Sequence, residues 1–232
     1  MKVLIKILLG LVGVCAIIAV VGGYFGLVPG VSSVFGADRP RNLGIKTSEA
    51  LYNAANEKIS LTRTGDAAAS DKLVYSGSHP VDVSFTSEEV SSLFSEGKWK
   101  NNPISNGFQM KIGPGGAVEV SGMLDRTRLN GYLKVTGFGN AITYLDKFNF
   151  LPKQVPFYLN GSASVQDNRM NLNLSSAELG RVPLPTDAGA IKAVQGFVDA
   201  RITAIPGMNI KSLDFKDGKL NLKGTLPTKM SF

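Results

Sequence analysis

One cysteine, one histidine and one tryptophan are all that these 232 residues hold of those types. The cysteine, Cys15, falls inside an apolar run, so no disulfide framework and no thiolate metal site can form beyond it. Metal sites draw on clustered His, Cys or acidic ligands, and the acids here are scattered, so no metal is expected. His79 stands before Pro80 with no Gly-x-Ser-x-Gly elbow to serve, and reads as an ordinary loop residue. A phosphate-cradling Gly-x-x-x-x-Gly-Lys-Ser/Thr loop is missing as well. Glu88 and Glu89 are adjacent, and neighbouring helical positions point about 100° apart, which argues against a paired acid and base. No catalytic residue and no cofactor are therefore expected, and the chain reads as a non-enzyme. A basic stripe is also lacking. The net charge of +7 includes Lys2 and Lys6, leaving a thin excess that suits anionic lipid or wall polymer rather than nucleic acid.

What the chain does have is an unbroken apolar run from Ile7 to Val28, behind a short amino end carrying Lys2 and Lys6. At about 1.5 Å per residue, a helix of that length just spans a hydrocarbon core of roughly 30 Å. The expected organisation is a cytoplasmic amino end (residues 1–6), a transmembrane signal anchor (7–28), a Gly/Pro/Ser-rich linker (29–46) and an extracytoplasmic domain (47–232). A cleaved signal is the alternative, with Val34-Phe35-Gly36 before Ala37 as a passable site. Lys2 and Lys6 favour a cytoplasmic amino end, whereas Arg39, Arg41 and Lys46 oppose it. A globular part free of Cys fits a single-pass protein of the cell membrane with its carboxyl-terminal domain outside the cytoplasm.

Past the linker the pattern is mixed. Ser48 to Lys58 has helical character with Thr47 as N-cap, and Leu73–Tyr75 and Val81–Phe85 read as strands. Thr86-Ser87-Glu88-Glu89 is a capping box opening a short helix. Phe108–Ile112 and Val118–Leu124 form a hairpin, with Ile112 facing Val118, Met110 facing Val120 and Phe108 covering Gly122. Tyr132–Val135 reads as a strand. Val155–Val165 and Met170–Leu174 pair around Asp167-Asn168, and Asp187–Ile205 is a long helix. A last hairpin turns at Asp217-Gly218, setting Phe215 against Leu220 and Leu213 against Leu222. Alternation slips near Ile210–Leu213, predicting a bulge. The return strands Val118–Leu124 and Leu220–Leu226 share apolar-x-apolar-x-Gly-x-Leu, so helix-then-hairpin occurs twice. The fold class is α+β.

This order of motifs resembles the bacterial LmeA-like and YpmS-like extracytoplasmic proteins, distantly similar to the tubular lipid-binding (TULIP) superfamily. The residues that carry it are Phe85-Thr86-x-Glu88-Glu89, the Val-x-Val-x-Gly strand, Gly180-x-Val-Pro-Leu-Pro185, Ile205-Pro-Gly-Met and Asp-Gly-Lys-Leu-x-Leu-x-Gly, within Val81–Leu226. The Ser48–Lys58 helix and the Lys98–Asn106 loop have no counterpart in it. The resemblance implies a curved antiparallel sheet wrapped around one long helix, with an apolar groove for acyl chains and no catalytic residues.

Two functional readings follow. In the first, a membrane-anchored module binds lipid between sheet and helix, lined by Phe108, Met110, Val120, Val194, Phe197, Val198, Leu213, Phe215 and Leu222. Gly189 and Gly196 would leave room beside the helix. Lys98-Trp99-Lys100 pairs the only Trp with two cations and suits a membrane interface, against the plainer reading of a loop whose Trp folds back. Absence of an apolar cavity above about 300 Å³ would exclude lipid binding. In the second reading, a filled-core structural or adaptor domain contacts cell-envelope proteins or polymers.

Overall fold

The computed structural model describes residues 2–26, 28, 30–141 and 152–232, with side chains from residue 13 onward except at 105, 106 and 141. Among them are α1 (Lys2–Tyr24), α2 (Val31–Val34), α3 (Glu49–Ile59), α4 (Ser87–Ser95), α5 (Arg126–Val135) and α6 (Ala188–Ala204). The strands are β1 (Thr62–Thr64), β2 (Val74–Ser76), β3 (His79–Thr86), β4 (Ile104–Ile112), β5 (Val118–Asp125), β6 (Gln154–Gln166), β7 (Arg169–Leu179), β8 (Val182–Pro183), β9 (Asn209–Lys216), β10 (Lys219–Leu226) and β11 (Lys229–Ser231).

Eight strands make one strongly curved antiparallel half-barrel in the order β3-β10-β9-β6-β5-β4, with β7 and β8 beyond β6. The α+β class is as the sequence predicts. The long strand β6 explains the curvature: residues 154–161 pair with β5, whereas Val165 and Gln166 pair with β9. The two hairpins thus meet one strand at different heights, and the sheet must bend between them. A second, three-stranded sheet (β1-β11-β2) stands beside it, with β1 and β11 parallel.

The turn chemistry sets the registers as expected. Asp167 and Asn168, like Asp217 and Gly218, have positive φ and close two-residue hairpins. Val165 pairs with Met170, Phe215 with Leu220 and Leu213 with Leu222. Ile112 pairs with Val118 and Met110 with Val120. In each repeated hairpin the return-strand glycine marks a register slip: Lys211 bulges beside Gly224, and residues 107–108 bulge beside Gly122. Phe108 therefore does not cover Gly122 with its ring; Phe157 lies there, and the Phe108 ring turns to Phe94 at 4.7 Å.

Helix α4 covers the exposed edge of β4. Its serines recur every fourth residue, hence on one face. Ser87 accepts the Ile112 N–H (3.0 Å), Ser91 the Met110 N–H (2.8 Å), and Ser95 donates to the Phe108 carbonyl (3.1 Å). An edge strand that would otherwise invite another chain is thereby closed by side chains. Thr86 and Glu89 form the expected capping box. Behind α4, Ala55, Phe85 and Val90 form one core cluster; Val165, Ile202 and Ile210 form another under α6. Burying each large side chain contributes about 1.5–3 kcal/mol.

Several expectations are corrected. Ser48, not Thr47, caps α3, because the Ser48 hydroxyl accepts the Leu51 N–H at 3.3 Å. Tyr132–Val135 is helical: the Asp125 carboxylate accepts from Thr127 and Arg128 N–H and starts α5 upstream of it. Gly131 admits α5 against Asn101, whose side chain occupies the space a Cβ would need. Helix α6 packs on β7 and β9 and shares one core cluster with residues of β6 and β10 of the curved sheet, with Ile202 its buried residue. Nothing lies within 4 Å of a Cβ added at Gly196, and Gly189 approaches only its own cap, Asp187.

The apolar run lies in α1 up to Tyr24, but the side chains of 7–12 and residue 27 fall outside the described residues. Among the described residues, no helix is long and apolar enough to cross a membrane. After α1 the chain returns to the domain: the Arg181 N–H donates to the Phe25 carbonyl (3.2 Å), and its guanidinium reaches the Phe35 carbonyl and lies 5.0 Å from the Tyr24 ring. The stretch expected as a linker then crosses one cross-strand row, Gln109–Ser121–Tyr158–Glu178. Arg41 pairs with Glu178 at 2.5 Å and stacks 3.8 Å above the Tyr158 ring. Gln109 accepts the Leu43 and Ile45 N–H groups, at 2.7 and 3.3 Å.

Candidate functional site

The site begins with the small sheet. Arg63 pairs with Met230, and Met230 with Tyr75, so these three side chains share one cross-strand row and one face. Opposite them stands the last half of α6. Asp187 caps that helix, its carboxylate accepting from Gly189 (2.8 Å) and Ala190 (3.0 Å). Asp199 accepts the Met170 N–H at 2.7 Å and pins the helix to β7. Helical periodicity then divides the work: Val198 and Ile202 pack on Val165 and Ile210, while Phe197, Arg201 and Ile205 follow one another four residues apart.

Between sheet and helix is a cavity of ≈ 810 Å³. Leu93 and Phe94 at the end of α4, Trp99 and Ile104 beyond it, and Tyr132 of α5 add to its lining, and the cavity remains open to solvent on part of its surface. Its lining is mainly apolar and aromatic, with Arg63, Arg201, Lys98, Glu49 and Glu96 as the charged exceptions. Volume and character fall in the range of small-molecule sites, about 300–1,000 Å³.

Polar groups inside are sparse and ordered. Arg201 donates its Nε hydrogen to the Tyr132 hydroxyl at 3.1 Å, and its guanidinium carbon lies 5.6 Å from the Tyr132 ring. Arg63 sits 5.6 Å from the Tyr52 ring. Among the described residues neither arginine forms an ion pair. Burial pushes the Tyr75 phenol above its usual 10, while Arg201 and Arg63 pull against that rise. Trp99 donates its indole N–H to the Ser70 carbonyl at 3.3 Å and meets the Tyr132 ring edge-on at 6.0 Å. The loop Trp thus folds back and becomes cavity wall. Lys98 lines the rim, but Lys100 faces away, bonded to Asp71 at 2.9 Å.

Of the nine predicted apolar liners, Phe197 and Val198 line this cavity. The others are placed elsewhere. Phe108 is buried against Phe94, Met110 packs behind α4, and Leu213 and Leu222 pack in the core under α6. Val120 lies between Met110 and Leu159 on the sheet, Phe215 has its carbonyl against Gly116, and Val194 is 45% exposed. What the sequence reading missed is the contribution of β1, β2 and β11 and of Arg201. The signal for Arg201 was present: a lone cation four residues after Phe197 on a stripe otherwise apolar.

Among the described residues no group of His, Cys, Asp and Glu could hold a metal ion. Compared with protein-family models, curated proteins and solved structures, the chain matches none of them.

Proposed function

We propose that this chain is a membrane-anchored extracytoplasmic module that binds lipid, the apolar part of the ligand lying in the cavity between α6 and the β1-β11-β2 sheet. The observation that carries this reading is the ≈ 810 Å³ apolar cavity itself, well above the roughly 300 Å³ below which the reading would fail. Apolar walls with few polar groups suit a ligand that is mostly hydrocarbon. In this reading the apolar run ending in α1 is a signal anchor, and the contacts of Phe25, Phe35 and Arg41 with the domain hold it close to the bilayer. The motif order resembling LmeA-like and TULIP proteins points the same way.

Trp99 is the only tryptophan and lines the cavity, so it serves as a built-in reporter. The full-length chain in phosphatidylcholine nanodiscs is titrated with a chain-dibrominated lipid, whose bromines quench indole on contact. Leu73 also lines the cavity, and saturable quenching that is lost in Leu73→Asp, a variant placing a carboxylate there, is the expected result. Quenching that is absent, or that survives Leu73→Asp unchanged, refutes the reading.

A further inference from the structure

The cavity is apolar, yet one end of it gathers hydrogen-bond donors and positive charge. Arg201 enters from the last turn of α6, and Arg63 from the neighbouring sheet. Tyr75 lies in the same cross-strand row as Arg63, with Met230 between them, and Arg201, Tyr132 and Arg63 all lie near enough to act on its hydroxyl. The lining also carries two carboxylates, Glu49 and Glu96, and among the described residues neither forms an ion pair with these arginines. Tyr132 completes the cluster by accepting from Arg201 Nε, and among the described residues no carboxylate forms an ion pair with that guanidinium. Both arginines are half-buried beside apolar surface and have no ion-paired carboxylate among the described residues, so an anion arriving with the ligand would find them free to pair. A guanidinium matches the two oxygens of a carboxylate or phosphate in a fork.

We propose that the ligand is an amphiphile with an anionic head, its carboxylate or phosphate held by Arg201 and Arg63 near the Tyr75 and Tyr132 hydroxyls and its chain lying along Phe197 and Ile205. This rests on the lipid-binding reading above and specifies which lipids fit. Neutral lipids would fill the same apolar space and leave the arginines unpaired.

The test uses the full-length chain in phosphatidylcholine nanodiscs and three ligands sharing one dibrominated chain: a fatty acid, a lysophosphatidate and a fatty alcohol. Dissociation constants are taken from Trp99 quenching. Either anionic ligand is expected to bind roughly 10–100-fold more tightly than the alcohol, as a charge-assisted hydrogen-bonded pair contributes. Whichever of the acid and the lysophosphatidate binds more tightly identifies the head group. Arg201→Gln should remove most of that preference while leaving alcohol binding within about twofold, and Arg201→Lys should restore part of it. Equal binding of acid, lysophosphatidate and alcohol to the unaltered chain overturns the head-group assignment while leaving lipid binding intact. So does an Arg201→Gln variant that weakens all three ligands alike. Should none of the three quench Trp99, both the cavity reading and this assignment fall.

Discussion

Ser91 on α4 brackets a single residue of β4: its hydroxyl accepts the Met110 N–H at 2.8 Å and lies 3.4 Å from the Met110 carbonyl. Ser91 is fully buried, so water cannot replace it. Ser91→Ala should therefore cost about 1–3 kcal/mol, the penalty of an unmade bond at a buried backbone group. Urea unfolding should show a lower midpoint with an unchanged slope. A midpoint equal to that of the unaltered chain would show that the serine stripe does not close this edge.

Lys58 and Glu89 connect α3 to the start of α4. Lys58 Nζ lies 2.7 and 2.6 Å from the two carboxylate oxygens, and one of them also accepts the Thr86 N–H at 3.0 Å. Glu89 is buried, whereas the Lys58 side chain is 37% exposed, so solvent screens the pair from one side. Lys58→Met should cost about 1 kcal/mol. Glu89→Ala also removes the capping box and should cost more, about 2 kcal/mol. Thermal melts of the two variants rank them, and the reverse order would contradict this account.

Two glycines should respond in opposite directions. Gly224 has φ of +155° at the β9–β10 bulge, and an added Cβ there would collide with the Asn209 carbonyl oxygen. Gly224→Ala should destabilise by about 2 kcal/mol or more. Gly196 sits inside α6 with open space where a Cβ would go. Gly196→Ala should stabilise by about 0.5–1 kcal/mol, because alanine loses less backbone entropy in a helix. A drop in melting temperature for Gly196→Ala would mean that the helix face meets something beyond its described neighbours.

Hydrogen bonds from Lys100 and Asn101 hold the Asp71 carboxyl below its usual 3.8. A depressed carboxylate stabilises the folded state at neutral pH, and that contribution disappears as pH falls below 3.8 through the folded value. The Lys100–Asp71 bond lies next to Trp99, whose indole donates to Ser70. Acidification should therefore shift Trp99 emission before global unfolding, and Asp71→Asn should show the shifted emission already at pH 7. Emission unchanged in Asp71→Asn would separate the Trp99 loop from this ion pair.

Local chemistry was legible wherever a short segment decides its own conformation. The capping box at Thr86–Glu89, the turns at Asp167-Asn168 and Asp217-Gly218, and the register of both hairpins follow from neighbours in sequence. Tyr132–Val135 was misread because four residues fit a strand and a helix equally, and the deciding Asp125 lies seven positions before Tyr132. The apolar liners divided for a related reason. Period-two alternation tells which residues leave the wet face, but not whether a packed core or a cavity receives them. Phe108 and Phe197 carry the same side chain; one is buried against Phe94, and the other lines the open space.

The sequence by itself determined the long apolar amino-terminal run, the α+β class, the turn-set registers and the repeated helix-and-hairpin units, since each depends on contacts within a few residues or on composition. Only the tertiary structure decided that Arg63 and Arg201, 138 positions apart in the numbering, face one cavity beside Tyr75. That meeting depends on β11 pairing with both β1 and β2 at the far end of the chain. No local periodicity encodes such a pairing. It is set by which surfaces the half-barrel leaves unburied, and that is a property of the folded whole.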